Sequence, residues 1–170
     1  MEIERKYLIS ELPKDLDRFP YHVIEQAYLC TEPVVRVRRE DDSFYLTCKG
    51  RGFIKREEIN LPLSEEAYKS LLGKAEGYIV RKKRYLIPIR EPRFAGGFVP
   101  PEGLFLTIEL DIFDEPFSPL VVAEVEFPDD DTAKAYVMEE WFKEDVSTEA
   151  RYHNSFMSAN GPSALPLNGI

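Results

Sequence analysis

The sequence contains no apolar run long enough to cross a bilayer, and its opening Met1-Glu2-Ile3-Glu4-Arg5-Lys6 lacks the apolar stretch of a secretory signal. Membrane insertion and export are therefore not expected, and the expected compartment is the cytoplasm. Cysteine is scarce. Cys30 and Cys48 have no metal-ligand spacing, which argues against a zinc site or a redox pair and predicts two buried free thiols. Only two histidines occur. His22 opens a strand-like segment and His153 falls in a helical one, so both read as structural or exposed groups, not proton shuttles. No glycine-rich phosphate loop is present, and Gly50-Arg51-Gly52 reads as a hairpin turn. No local signature marks a Ser-His-Asp or Cys-His nucleophile. Positive charge is in deficit, with 22 Lys and Arg against 31 Asp and Glu and a net charge of −9. Such a balance disfavours a general nucleic-acid surface, whose affinity comes from neutralising phosphates.

What remains is a chain of 170 residues, 44% hydrophobic, which fits one domain with an ordinary core. Strand-like alternation recurs eight times: Met1 to Ile9, His22 to Cys30, Val34 to Arg39, Phe44 to Lys49, Ile54 to Leu61, Ile79 to Ile89, Leu104 to Phe113 and Leu120 to Phe127. Turn signals such as Glu40-Asp41-Asp42-Ser43 separate them at spacings short enough for antiparallel neighbours. An α+β fold built on a closed or nearly closed antiparallel barrel follows most simply. Three helices are predicted: one capped by Ser64, one starting at Asp129 to Thr132 and carrying Ala133, Tyr136, Val137 and Trp141, and one from about Thr148 to Gly161. Residues 90 to 103, rich in Pro and Gly, read as a long loop at one rim, and Ser163 to Ile170 as a tail.

Successive side chains of a strand point to opposite faces, and here the division is clean. Glu2, Glu4 and Lys6 share a face, with Ile3, Tyr7 and Ile9 on the other. Arg36 and Arg38 oppose Val35 and Val37; Thr47 and Lys49 oppose Leu46 and Cys48. Arg56, Glu58 and Asn60 oppose Ile59 and Leu61, Glu109 and Asp111 oppose Ile108 and Leu110, and Glu124 and Glu126 oppose Val125 and Phe127. Only Arg81-Lys82-Lys83-Arg84 is ambiguous. In most antiparallel proteins such a charged face is the solvated side of a sheet. Here, however, like charges repeat two residues apart in both signs, as in Glu2/Glu4, Arg36/Arg38, Lys82/Arg84, Glu109/Asp111 and Glu124/Glu126. Such pairs repel unless an opposite charge comes between them. Clustered carboxylates without His or Cys are hard oxygen ligands suited to Mg²⁺ or Mn²⁺, and the Arg and Lys pairs suit a phosphate chain. Metal, phosphate chain and water together indicate a phosphohydrolase.

These residues resemble the CYTH proteins, the triphosphate tunnel metalloenzymes. Glu2-Ile3-Glu4-Arg5-Lys6 is similar to their ExExK signature. The likeness continues through Gln26-Ala27-Tyr28-Leu29, Arg36-Val37-Arg38, Thr47-Cys48-Lys49-Gly50, Arg56-Glu57-Glu58-Ile59, Lys82-Lys83-Arg84-Tyr85, Glu109-Leu110-Asp111, Glu124-Val125-Glu126 and Arg151-Tyr152-His153-Asn154. It spans residues 1 to 158, followed by a C-terminal tail from 159 to 170. The resemblance implies an eight-stranded antiparallel tunnel with helices outside, binding a small triphosphate with Mg²⁺ or Mn²⁺. It implies Glu2, Glu4 and Glu126 as metal ligands, with Glu124 and Asp111 nearby. Lys6, Arg36, Arg38, Lys49, Arg56, Lys82 and Arg84 would hold the phosphates, with Lys82 and Arg84 turned inward. Two positions depart from the pattern: Asn60 stands where a second carboxylate after Glu58 is common, and Ser147 where Thr is usual.

The expected reaction is hydrolysis of a terminal phosphate by a metal-activated water, with Lys6 in the catalytic set and Glu58, Glu109 or Asp111 orienting the water. Inorganic tripolyphosphate is the first expected substrate. The alternatives are a class IV adenylyl cyclase, a thiamine, nucleoside or RNA triphosphatase, and a non-catalytic polyphosphate-binding module. The chain is expected to act as a monomer or homodimer.

Overall fold

A computed structural model describes residues 2–50 and 55–166, with the side chains of residues 2, 55 and 56 outside that description. The main strands are β1 (Glu2–Ile9), β2 (Tyr21–Thr31), β3 (Val34–Glu40), β4 (Ser43–Lys49), β5 (Lys55–Arg56), β6 (Glu58–Pro62), β7 (Glu76–Ile89), β9 (Leu106–Phe113) and β10 (Val121–Glu126). Three further short strands are β8 (Arg93–Phe94), β11 (Tyr136–Val137) and β12 (Phe142–Asp145). Among the described residues, ten strands form one antiparallel sheet in the order β12-β1-β10-β9-β7-β2-β3-β4-β6, with β5 paired to β1 off this path. All eight expected strand segments are thus present, the fifth as β5 and β6. Among the described residues the ladder is open, however: the two ends of the path are not hydrogen-bonded to each other, so strand pairing alone does not make the expected closed barrel. Gly50-Arg51-Gly52 and the tail end 167–170 reach outside the described residues.

The apolar phase of the strands is buried outward. Ile3, Tyr7, Ile108, Leu110, Ala123 and Val125 from β1, β9 and β10 form one cluster with Ala133, Tyr136 and Phe142. Ala27 and Val37 form another beneath Tyr68 of helix α1 (Glu65–Leu72), whose cap Ser64 accepts a hydrogen bond from the Ala67 N–H as expected. The charged phase is not charged throughout. Its continuation in register is apolar: Leu8, Val80, Phe113 and Val122 pack with Met157 and Tyr152, so helix α3 (Asn154–Asn160) covers that end of the face. Two contacts fix α3 there. Ser158 Oγ donates to the Tyr78 carbonyl at 2.7 Å, and Gly77, at φ +76°, leaves no room for a Cβ, which would lie 2.3 Å from the Ser158 carbonyl oxygen.

Three expectations are corrected. Helix α2 (Asp130–Ala135) is capped by Asp129 but stops before Tyr136, which pairs with Phe94 in the small β8–β11 sheet. The Arg5 guanidinium donates to the Ala133 and Tyr136 carbonyls at 2.8 and 3.0 Å and so closes the helix end. The third helix begins at Asn154, not near Thr148, after a 3-10 turn over Ala150–Tyr152. At the start of the tail, Pro162–Ala164 form a turn and Leu165 is buried. Cys30 and Cys48 are free, as expected, but exposed.

Candidate active site

Among the described residues, nine charged residues on the inward phase are at most 9% exposed: Glu4, Lys6, Arg36, Arg38, Lys49, Lys82, Arg84, Asp111 and Glu124. Burial of this kind rules out the solvated-face reading, since exposed charges would keep their hydration. A cavity of about 190 Å³ opens among them. One wall is acidic: Glu4 from β1, Glu109 from β9, and Glu124 and Glu126 from β10. Strand register builds it, with Glu4 opposite Glu126, Lys6 opposite Glu124, and Glu124 opposite Glu109. The facing wall is basic, carrying Arg36 and Arg38 from β3 and Lys49 from β4, with Glu58 from β6.

The like-charge pairs are offset by cations reaching across strands. Lys6 Nζ lies 3.0 Å from Glu4 Oε1 and also donates to Glu124 Oε1. Burial alone would lower the Lys6 pKa, but the Glu124 and Glu4 carboxylates outweigh it and raise the value above its ordinary one. Arg84 contacts three carboxylates, those of Asp111, Glu109 and Glu124, and its pKa is likewise raised against the effect of burial. Glu124 behaves in the complementary way. Burial works to raise its pKa, yet Lys6, Arg84 and Lys82 hold it well below the usual carboxylate range. Lys82 is pushed down to about 8 by burial and by the Arg84 charge, in spite of its contact with Asp111.

The basic wall is less completely paired. Arg38 donates from Nε to Gln26 Oε1 at 3.0 Å and from Nη1 to the Tyr45 hydroxyl at 3.3 Å, and that hydroxyl donates to Glu40 at 2.8 Å. Lys49 meets Glu58 at 2.6 Å, and Asn60, the residue that departs from the family pattern, donates to Glu58 at 2.8 Å. Arg36 donates from Nη2 to Thr47 Oγ1 at 3.0 Å, but its buried Nε has no partner among the described residues. Burial and the neighbouring Arg38 charge lower its pKa. A buried guanidinium with an unpaired donor, beside a second one, suits an anion, because leaving such a donor unmet costs about 1–3 kcal/mol.

Among the three carboxylates considered for orienting water, the environments differ. Glu58 is opposed by burial but held at about 2 by Lys49 and Asn60, so it is a weak base. Asp111 is fully buried and does not line the cavity. Glu109 lines it, keeps about a third of its side chain exposed (34%), and has its pKa raised by burial, with Glu124 and Asp111 adding to the effect over the opposing Arg84. Lys82, like Asp111, lies behind the lining. Glu2 and Arg56 are Cα partners across β1 and β5, and their side chains lie outside the described residues.

Sequence reasoning missed four polar residues that line the cavity: Tyr28, His153, Asn154 and Ser155. Tyr28 was legible in principle, since it shares the phase of Gln26 and sits opposite Arg36. The other three are brought in by the docking of α3, which leaves no local signal. His153 is buried, with Nε2 3.2 Å from the Ser147 carbonyl oxygen, and His22 pairs with Asp41 on the surface at 2.6 Å.

The acidic wall offers the donor type that a divalent ion takes. Among the described residues no three His, Cys, Asp or Glu side chains converge closely enough to hold an ion as they stand. Yet Glu4, Glu124 and Glu126 face one cavity, and the Lys6 ammonium already lies between two of them as a cation would. Carboxylate oxygens are ligands for Mg²⁺ or Mn²⁺.

Comparison with known proteins agrees with this geometry. The chain is 32% identical over 165 residues to the inorganic triphosphatase of Nitrosomonas europaea, covering 95% of this chain and 99% of the other. It is 29% identical to that of Acetivibrio thermocellus, over 94% of each. A crystal structure of the inorganic triphosphatase NE1496 superposes with a TM-score of 0.65 at 28% identity, covering 95% of this chain and 97% of that one. A putative adenylate cyclase from Bacillus halodurans shares the fold at a TM-score of 0.54 and 16% identity, covering 79% of this chain and 84% of the other. No protein-family model matches. The chain belongs to the inorganic triphosphatases of the CYTH, or triphosphate tunnel, family. No helix among the described residues is long and apolar enough to cross a membrane.

Proposed function

We propose that this chain hydrolyses inorganic tripolyphosphate to pyrophosphate and orthophosphate, in the cytoplasm, with Mg²⁺ or Mn²⁺, as a single domain over residues 1–158. The observation that carries the reading is the buried pair Arg36 and Arg38, with an unmet Arg36 donor, across one cavity from Glu4, Glu124 and Glu126. Two curated relatives named inorganic triphosphatase support the choice of substrate. We also propose that the sheet functions as a tunnel. In favour of this, a single residue, Glu57, separates β5, which pairs with β1, from β6, which pairs with β4, so one short segment touches both sides of the charged face.

In this reading Arg36, Arg38 and Lys49 grip the phosphate chain from one wall, and Arg84 and Lys6 approach it from the other. Their fixed charges offset the negative charge that shifts onto the leaving pyrophosphate, with no solvent reorganisation at the moment of reaction. Glu2, Glu4, Glu124 and Glu126 would hold the metal, which supplies Lewis acidity and a lowered pKa for bound water. Glu109 orients the attacking water: of the three candidate carboxylates it alone both lines the cavity and has a raised pKa, the property that suits a base near neutral pH.

The test is an incubation with tripolyphosphate, ATP and thiamine triphosphate in parallel, with Mn²⁺ or Mg²⁺, resolving orthophosphate, pyrophosphate and cyclic AMP. Equal amounts of orthophosphate and pyrophosphate from tripolyphosphate, turned over faster than the two organic triphosphates, are expected. Cyclic AMP from ATP, or tight tripolyphosphate binding without orthophosphate release, would contradict the proposal.

A further inference from the structure

Asp111 carries the same hard-ligand chemistry as the carboxylates on the cavity wall, but its surroundings differ from theirs. It is fully buried at the middle of β9, opposite Arg84 on β7 and Val122 on β10. Oδ1 accepts from Arg84 Nε at 2.7 Å, and Oδ2 accepts from Arg84 Nη2 at 2.7 Å and also from Lys82 Nζ. Both oxygens are therefore taken by cations, Arg84 being held in a two-pronged fork. Lys82 is also fully buried and lies 5.2 Å from the centre of the Phe113 ring. For Asp111 to bind a metal it would have to release the Arg84 fork and leave a buried ammonium without its carboxylate, an outcome strongly disfavoured at full burial.

We infer that Asp111 is a positioning residue, which anchors Arg84 and Lys82 behind the phosphate site and does not ligate the metal. This rests on the proposed triphosphate reading and gives the three carboxylates around Arg84 separate tasks. Asp111 is the fixed partner, out of reach of the cavity. Glu109 and Glu124 line the cavity, where substrate, metal or water can take the place of Arg84 as their partner. Arg84 then reaches the cavity from a rigid base, so less side-chain freedom is lost when phosphate binds. Lys82 contributes positive potential from behind without touching the substrate.

The experiment measures two affinities by calorimetry on the parent and on Asp111→Asn: Mn²⁺ alone, and tripolyphosphate alone in the presence of a chelator. The neutral amide weakens the hold on both cations. Metal-free tripolyphosphate affinity is expected to fall by about tenfold to a hundredfold, the loss associated with a charge-assisted contact. Mn²⁺ affinity is expected to stay within about threefold of the parent, half a decade being well short of the loss of a ligand. If Asp111→Asn does not fold, Lys82→Met with Asp111→Leu removes the pair together and replaces it with apolar groups of similar size, which buried pairs often tolerate. The same split is expected from it. A tenfold or greater loss of Mn²⁺ affinity, or unchanged metal-free tripolyphosphate affinity, in whichever variant folds overturns the assignment. A parent protein that fails to bind tripolyphosphate at all overturns the triphosphate reading together with it.

Discussion

Arg84→Met should lose about 3–5 kcal/mol of folding stability at pH 7, because the guanidinium is the common partner of Asp111, Glu109 and Glu124 and its removal leaves buried carboxylates uncompensated. The loss should depend on pH in a definite direction. In the parent, Arg84 and its lysine neighbours hold Glu124 well below its ordinary pKa, so the stabilisation is present above the unfolded-state value of about 4.3 and fades as pH falls through the depressed one. In the variant the carboxylates lose this support and take up protons more readily. The difference between the two proteins should therefore be largest near neutrality and shrink in acid. Urea unfolding at several pH values between neutrality and about pH 4.3, the ordinary Glu value, measures it. A deficit that is small at pH 7, or that grows on acidification, would show that Arg84 does not neutralise this cluster.

Glu4→Gln and Glu126→Gln should leave the fold nearly intact but lower metal-dependent turnover of tripolyphosphate on the order of 10³-fold, several kcal/mol of charge stabilisation being lost with each ligand. The two residues face each other across β1 and β10, and the amide keeps the shape of the carboxylate while removing its charge. Lys6 retains Glu124 as a partner when Glu4 is changed, so a folding defect is not the expected cause of lost activity. Both variants should also show weaker Mn²⁺ binding by calorimetry. Near-normal turnover in both would remove the metal from this wall.

Much of the fold was legible because β-strands write their two faces into alternate residues. The eight segments from Met1 to Phe127 all fall on observed strands, and Ser64 and Asp129 mark their helices. Less legible was anything decided by contacts between distant segments. Tyr136 and Val137 fit a helical stripe with Ala133, but pairing with Arg93 and Phe94 made them a two-residue strand, too short to carry a period. The candidate site divides in the same way. The like-charged pairs of Arg36/Arg38 and Glu124/Glu126 were visible as pairs, and the burial of the first confirms that this face is turned away from solvent. That the same phase becomes apolar at Leu8, Val80 and Val122, and is covered there by α3, needed the three-dimensional arrangement. So did the entry of His153, Asn154 and Ser155 into the cavity lining and the withdrawal of Asp111 and Lys82 behind it.

The central claim is that one cavity holds a metal on its acidic wall and a triphosphate on its basic wall. An anomalous-scattering map from crystals grown with Mn²⁺ and tripolyphosphate tests it directly. The account predicts a manganese peak within coordination distance of the Glu4 and Glu126 carboxylates, with phosphate oxygens meeting Arg36 and Arg38. Manganese away from these carboxylates, or tripolyphosphate bound outside the cavity, would contradict it.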